Sequence, residues 1–453
     1  MSLEALKSSV SGLVIAREEG PYAAAREALI WNARKPPRYP HVIVGATSAA
    51  DVQAAVRYAR QHGLKVTARG GGHHWSGVAL QDGVVIDLSG LDAVTIDPAA
   101  RIADVGPGVS HRDLARALAG HGLAFPVGHC ATVPLSGYLL GGGLGWNSGA
   151  WGIACFSVES VDVVTAEGEL LRASEAQNAD IFWAARGAGP AFFGVVTSYR
   201  LRLHRLPRAI TTSTWTYRLE DIGTLERWIS SSQPVLPRNV EFSLLMSSAP
   251  PTLAHRCAKV VTAMVTVFAD SVDEARIVLG SVAASAPPGA LDASLNVPTP
   301  FEALFEMNGA AFPHNRRYAA DTYWSTANAG IFLETLAARV KDAPSPASIA
   351  LGVLLPPPEP GAPGLPDAAF SMVAPVFGCS YAVWEDAEDD ELNVSWLRET
   401  SERLAPITLG HYIGEAHLDD DAHIPRSFSP AAWARLERAR ATYDPEGLFS
   451  KTF

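Results

Sequence analysis

A glycine turn that ends in a histidine is the first feature of the sequence that could carry chemistry. Three glycines, Gly70 to Gly72, directly precede His73 and His74. Such glycines let backbone amides approach a phosphate or a ring, because no Cβ intervenes. An imidazole can attack an activated methyl group or bind a metal ion, but no acidic or thiol partner stands at ligand spacing from it. No metal site is therefore predicted, and a purely structural tight turn stays open as the alternative.

A second glycine turn, Gly141 to Gly145, begins eleven residues after Cys130. Its glycines, together with Gly149, approach the spacing of a dinucleotide-binding fingerprint. The residues before it make a poor first strand, however, and no clean β-α-β unit with an acidic residue about 20 positions on accompanies it. A cysteine alone is more often a small buried hydrophobe than a reactive thiol. The interpretation of Cys130 as reactive therefore depends on its pairing with the two turns.

The first turn must be positioned by a β-α-β unit. We predict a strand over His41 to Val44, a helix that Ser48 caps and Gly63 ends, and a strand over Lys65 to Ala68 that runs into the turn. The region up to Pro207 is predicted to be α+β. Its other elements are strands at Gly83 to Leu88, Ala93 to Ile96, Ile102 to Val105, Val158 to Thr165, Glu169 to Ala173 and Gly194 to Leu203, and a helix at Asp113 to Ala119.

From Ile210 onward, longer alternating strands predict a second α+β domain. A proline-rich insert, Pro356 to Pro366, is interpreted as a linker between the strands Ile349 to Leu355 and Phe370 to Phe377, because proline cannot pair within a sheet ladder. The other elements predicted here are strands at Thr211 to Tyr217, Val240 to Met246 and Lys259 to Phe268, and helices at Val272 to Ala283 and Pro430 to Tyr443.

The composition is typical of a globular enzyme and excludes several other classes. Of 453 residues, 48% are hydrophobic and 18% charged, and the net charge of -11 gives nucleic acid or an anionic membrane no electrostatic reason to bind. No signal peptide or membrane span is apparent, so we expect a cytoplasmic protein. The four cysteines are too scattered for a disulfide framework. The oligomeric state is not predicted.

The two turns together resemble those of a known family, the FAD-linked oxidases of the vanillyl-alcohol-oxidase superfamily, in its berberine-bridge-enzyme-like branch. Members carry R-G-G-G-H, as Arg69 to His73 do here, and join that histidine to the flavin 8α-methyl group. Bicovalent members also carry a cysteine eleven residues before G-G-G-x-G, bonded to flavin C6, which matches Cys130. The resemblance implies a covalent FAD held by His73 and Cys130.

The resemblance extends over nearly the whole chain. Asp180 to Gly187 is similar to D-L-F-W-A-x-R-G, Phe193 to Thr197 to F-G-V-V-T, and Tyr443 to Phe449 to Y-D-P-x-x-x-F, whereas Val133 to Gly137 departs from V-G-V-G-G. It implies a two-subdomain FAD-binding domain of the PCMH type at 1–207, an α+β substrate domain with a large antiparallel sheet at 208–408, and a returning segment at 409–453. The residues implied to bind the cofactor are Arg69, Gly70, Gly71, Gly72, His73, His74, Cys130, Val133, Gly137, Tyr138, Gly141, Gly142, Gly143, Gly145, Val195, Val196 and Tyr443.

The implied activity is oxidation of a small alcohol, lactol or amine by hydride transfer to the flavin. By resemblance, Tyr412 falls at the tyrosine of the family's Y-x-N segment, while Gly414 replaces the asparagine. We therefore predict Tyr412 as the base, or the base's hydrogen-bonding partner, with His411 second. Val133 holds the position that is valine in oxygen-using members, which favours O2 as acceptor. A dehydrogenase, an oxidative cyclase and a flavin-free binding protein are the alternatives.

Overall fold

Three main β-sheets and a two-stranded ribbon, with helices around them, form the architecture of the computed structural model. The structure describes residues 1–357, 361 and 363–450. No helix in these residues has the length and apolar character needed to cross a bilayer. Helices and sheets share the chain without regular alternation, so the predicted α+β class is confirmed.

The first sheet contains the predicted β-α-β unit. Helix α3 begins after Ser48, whose hydroxyl accepts from the Asp51 amide while the Asp51 carboxylate caps in return. The helix ends at Gln61, and Gly63 turns the chain with a φ of 63°. The elements are β1 (Val14–Ala16), β2 (Val42–Gly45), β3 (Val66–Arg69), β4 (Val84–Asp87), α1 (Leu3–Ser9), α2 (Tyr22–Ala28) and α3 (Ala49–Gln61). The sheet order is β1-β2-β4-β3, with β2, β4 and β3 parallel.

The second sheet is antiparallel and follows directly in the chain. It comprises β5 (Val94–Asp97), β6 (Ile102–Val105), β8 (Val158–Val164), β9 (Leu170–Ser174) and β10 (Val195–Arg202) in the order β5-β6-β10-β8-β9. The ribbon pairs β7 (Leu123–Ala124) with β11 (His204–Arg205). The accompanying helices are α4 (His111–Ala119), α5 (Leu135–Leu140), α6 (Ser148–Trp151) and α7 (Ala179–Ala185). The predicted hairpin at Ala166 to Gly168 is present between β8 and β9.

The third sheet has seven antiparallel strands in the order β15-β12-β14-β13-β17-β18-β16. Alternate residues of β13, such as Leu244 and Met246, pack in a core with helices, whereas Glu241 and Ser243 face a cavity. The strands are β12 (Ala209–Arg218), β13 (Val240–Ser248), β14 (Lys259–Ala269), β15 (Asp292–Pro298), β16 (Arg317–Ser325), β17 (Ile349–Leu354) and β18 (Val376–Trp384). The helices are α8 (Ile222–Ser232), α9 (Val272–Ser285), α10 (Phe301–Ala311), α11 (Ala329–Lys341) and α12 (Asp390–Leu404).

One predicted strand is wrong, and the C-terminal segment packs onto the first sheet. Phe370 does not begin a strand: its amide donates to the Arg186 carbonyl, and β18 starts only at Val376. Part of the insert Pro356 to Pro366 lies outside the described residues. The last helices are α13 (His423–Arg426) and α14 (Pro430–Tyr443). Short 3-10 helices in the described residues lie at Ala154–Ser157, Gly189–Ala191, Leu219–Asp221, Gln233–Val235, Ala387–Asp389 and Ala405–Ile407. After α14, Phe449 forms a bridge to Val66.

Candidate active site

A cavity of about 640 Å³ lies between the glycine turns and the free face of the third sheet. Its volume is in the range of sites that bind small molecules or cofactors. One end is lined by Val66, Thr67 and Phe449, next to the first sheet, and the other by side chains of β13, β14, β17 and β18. The cavity therefore spans from the first sheet to the third.

The first glycine turn packs against the loop that follows Cys130. A Cβ added to Gly71 would overlap the ring of Pro134, and one added to Gly70 would come within about 2.5 Å of the Ser136 side chain. Gly72 has a φ of 66°, and a Cβ there would overlap the carbonyl of Leu29. Gly70 and Gly71 are needed for the close packing of the two loops, and that packing brings His73 near Cys130.

His73 and Cys130 meet at one hydroxyl. The Thr132 Oγ1 lies 3.3 Å from His73 Nε2 and 3.6 Å from Cys130 Sγ. Burial, together with the nearby positive charge of Arg69, lowers the pKa of His73 to about 4. The imidazole is thus neutral at pH 7 and keeps a nucleophilic lone pair. Trp31 stacks on its ring at 5.3 Å.

His111 holds the backbone at Cys130. Its Nδ1 donates to the Cys130 carbonyl at 3.1 Å, since a carbonyl can only accept. Its ring meets Tyr138 edge-on at 4.3 Å, and burial lowers the pKa of His111 to about 3. Tyr138 in turn donates to the Pro126 carbonyl. The loop that carries Cys130 is therefore fixed by neutral hydrogen bonds.

Comparison with known proteins identifies the family of this chain. The family described as FAD binding domain matches residues 40–174. FAD-linked oxidoreductase ptmO of Penicillium ochrochloron is 31% identical to this chain, over 88% of the chain and 87% of the relative. This chain belongs to the FAD-linked oxidoreductases.

Further relatives of this FAD-linked oxidoreductase agree with that assignment. (R)-6-hydroxynicotine oxidase of Paenarthrobacter nicotinovorans is 36% identical over 48% of the chain and 47% of the relative. The crystal structure of 6-hydroxy-D-nicotine oxidase from Arthrobacter nicotinovorans matches with a TM-score of 0.83 at 25% identity, over 97% of both chains. Berberine bridge enzyme from Eschscholzia californica has the same fold, with a TM-score of 0.83 at 19% identity over 99% of this chain and 98% of that one. The predicted resemblance is confirmed.

The cavity fits FAD. Thr67 Oγ1, His111 Nε2 and Trp146 Nε1 are buried atoms of lining residues, and they have no hydrogen-bond partner among the described residues. Buried polar atoms nearly always have partners, so these three indicate a polar occupant. A Cβ on Gly137 would meet nothing within 4 Å, which leaves the α5 end of the wall open.

The structure divides the predicted cofactor residues into two groups. Those that line the cavity are Gly70, Gly71, Gly72, His73, His74, Cys130, Val133, Gly137, Tyr138 and Gly145. The others lie behind its wall: Arg69 braces the first turn through the Leu29 carbonyl and Asp87, Tyr443 stacks on Phe193 at 5.7 Å, and the remaining ones are Gly141, Gly142, Gly143, Val195 and Val196. A Cβ on Gly142 would overlap Phe370, so this glycine is required by packing.

The two predicted catalytic residues have different surroundings. Tyr412 lines the cavity, and its hydroxyl accepts from the amides of Gly143 at 3.1 Å and Leu144 at 3.4 Å. Burial raises the pKa of Tyr412 well above its usual value, despite these two hydrogen bonds. His411 is not among the lining residues: its Nδ1 lies 2.8 Å from the Thr322 carbonyl and 3.2 Å from Asp321. These contacts favour a structural role for His411.

Sequence reasoning missed the acids and several aromatic residues of the cavity. Glu415 accepts from the Tyr381 hydroxyl at 2.8 Å and from Trp75 Nε1 at 3.5 Å. Glu241, on β13, lies against the turn that starts α6, and burial raises its pKa to about 8. Glu241 could have been found because it is a charged residue in a strand whose alternating pattern predicts burial. Glu415 could have been found because it follows the predicted base Tyr412 by three residues.

Proposed function

We propose that this enzyme holds FAD covalently through His73 and Cys130 and oxidises a small alcohol, lactol or amine, with O2 as electron acceptor. The single observation that carries the proposal is the Thr132 hydroxyl in contact with both side chains. The predicted division into 1–207, 208–408 and 409–453 is part of the proposal: the first part would hold FAD, and the second would contribute the third sheet to the substrate site.

The residues of the chain would hold the flavin, shield the site and position the substrate. His73 and Cys130 would fix the flavin between the two loops. Each attachment would replace one N–H or S–H bond and one flavin C–H bond by a bond to the flavin, and the two protons and two electrons released would reduce O2 to H2O2. Bound FAD would supply the redox chemistry, which is hydride acceptance from the substrate carbon and transfer of the electrons to O2 with release of peroxide. Tyr412 would stand at the wall with its hydroxyl held by two amides. The base that takes the substrate's proton must face the cavity, as Tyr412 and Glu415 do and His411 does not.

Covalent attachment is tested by intact-mass spectrometry of the denatured protein. We expect the native chain to carry the mass of one FAD, and His73→Ala and Cys130→Ala each to retain it through the remaining bond. Only the double variant should release its flavin on acid precipitation. Cys257→Ala, which removes another partly buried free cysteine, is the matched control and should behave as the native chain. A native chain without the added mass would contradict the proposal.

The acceptor is tested by peroxide release. With a substrate that bleaches the flavin absorbance, we expect stoichiometric H2O2 in air and none under argon. The proposal follows from Val133 at the cavity wall and from the relative named as a nicotine oxidase. Reduced flavin that persists in air would instead favour the dehydrogenase alternative.

A further inference from the structure

The cavity carries acids and aromatic rings, and none of its described lining residues is a lysine or an arginine. The two acidic residues among them are Glu241 and Glu415. A buried charged group on a substrate needs an opposite charge to offset its lost hydration. An anionic substrate group would find no counter-ion here, whereas a cation would.

Glu415 has one oxygen free for such a cation. Both of its protein donors, Tyr381 Oη and Trp75 Nε1, point to Oε2. No described residue donates to Oε1, and no described Lys, Arg or His forms an ion pair with this carboxylate. Burial raises the pKa of Glu415, although the two hydrogen bonds lower it. A bound cation would offset this effect of burial, because an opposite charge stabilises the carboxylate.

An aromatic wall connects Glu415 with the flavin anchor. Trp75 lies 5.6 Å from Tyr381, 6.0 Å from Phe312 and 6.0 Å from Trp31, measured between ring centroids. Trp31 in turn stacks on His73. Aromatic rings next to a carboxylate are the chemistry that recognises organic ammonium ions.

Glu241 is already satisfied by the protein. Its carboxylate accepts from the backbone amides of Asn147 and Ser148, at the start of α6. A carboxylate at that position fixes the turn after the second glycine motif.

We infer that the substrate is an amine, bound as a cation with Glu415 as its counter-ion against Trp31, Trp75, Phe312 and Tyr381. The inference rests on the proposed function and selects the amine among the alcohol, lactol and amine substrates considered there. Glu415 would hold the ammonium group beside the flavin anchored at His73.

The test compares two probes of similar shape on the flavin-loaded enzyme. Benzyltrimethylammonium is a cation, and neopentylbenzene is its uncharged analogue. Titration followed by tryptophan fluorescence and by the flavin spectrum should show the cation binding about tenfold more tightly or better. Glu415→Gln, which keeps the shape, should remove this preference and leave the affinity for neopentylbenzene within about twofold.

The matched control is Glu241→Gln, which should keep the preference for the cation. Equal affinities of the native enzyme for both probes would overturn the inference without any substitution, so a variant that fails to fold does not matter. Loss of the preference in Glu241→Gln but not in Glu415→Gln would overturn it as well. Neither outcome depends on a covalent flavin, whose absence would count only against the proposed function.

Discussion

Gly71→Ala is expected to reduce FAD loading about tenfold or more. The added Cβ would overlap the Pro134 ring, so the turn and the loop after Cys130 would have to separate. Such overpacking commonly costs about 1–3 kcal/mol, and here that cost falls on the contact that brings His73 and Cys130 together. The measurement is the ratio of flavin to protein absorbance, with the covalent fraction taken from intact mass.

Gly280→Ala is the matched control for that substitution. Gly280 lies inside α9, and a Cβ there would meet nothing within 4 Å. Alanine is the better helix former, so this variant should load FAD fully and unfold no more easily than the native protein. Full flavin content in Gly71→Ala would contradict the role given to the interlocked turns.

Asp321→Asn is expected to lower the free energy of unfolding by about 3–5 kcal/mol. Asp321 is completely buried on β16, where it accepts from the His417 amide at 3.1 Å and the Ser401 hydroxyl at 2.7 Å. Burial opposes its ionisation, but attraction and hydrogen bonding from His411, with help from His423 and Ser401, outweigh this and hold the pKa of the carboxyl below its usual range.

The loss would be read from denaturant unfolding of the FAD-loaded protein at pH 7. His411 and His423 stack at 4.0 Å next to Asp321. In the Asp321→Asn variant, a neutral amide would replace the negative charge that faces both rings. Asp273→Asn is the control, because that carboxylate is exposed and pairs loosely with Arg276. The control should change the free energy by less than about 0.5 kcal/mol. An Asp321→Asn protein as stable as this control would show that the buried cluster is not a stabilising feature.

Local patterns allowed correct prediction wherever a short segment decides its own structure. The Ser48 cap, the end of α3 before Gly63 and the hairpin at Ala166 to Gly168 all rest on interactions within a few residues. The strand predicted at Phe370 failed for the opposite reason. The Phe370 amide donates to the Arg186 carbonyl and the preceding Ala369 amide to the Trp183 carbonyl, so residues far away in the chain, and not a neighbouring strand, hold the backbone there.

The active site shows the same division. Sequence analysis identified His73, Cys130 and Tyr412, and all three line the cavity. It also grouped His411 with Tyr412, although neighbours in a chain can face opposite sides, and here only Tyr412 faces the cavity. The importance of Glu415 depends on Trp75 and Tyr381, which are distant in sequence, so no local pattern could reveal it.

The amino-acid sequence by itself determined the two glycine turns, the residues predicted to bond a flavin and the family that combines them. It could do so because turn geometry and side-chain reactivity are properties of short segments. Only the tertiary structure decided that the Pro134 loop lies on Gly71, that Thr132 touches both His73 and Cys130, and that the third sheet closes a cavity in which acids and aromatic rings meet. Those contacts join residues up to several hundred positions apart, and packing alone selects them.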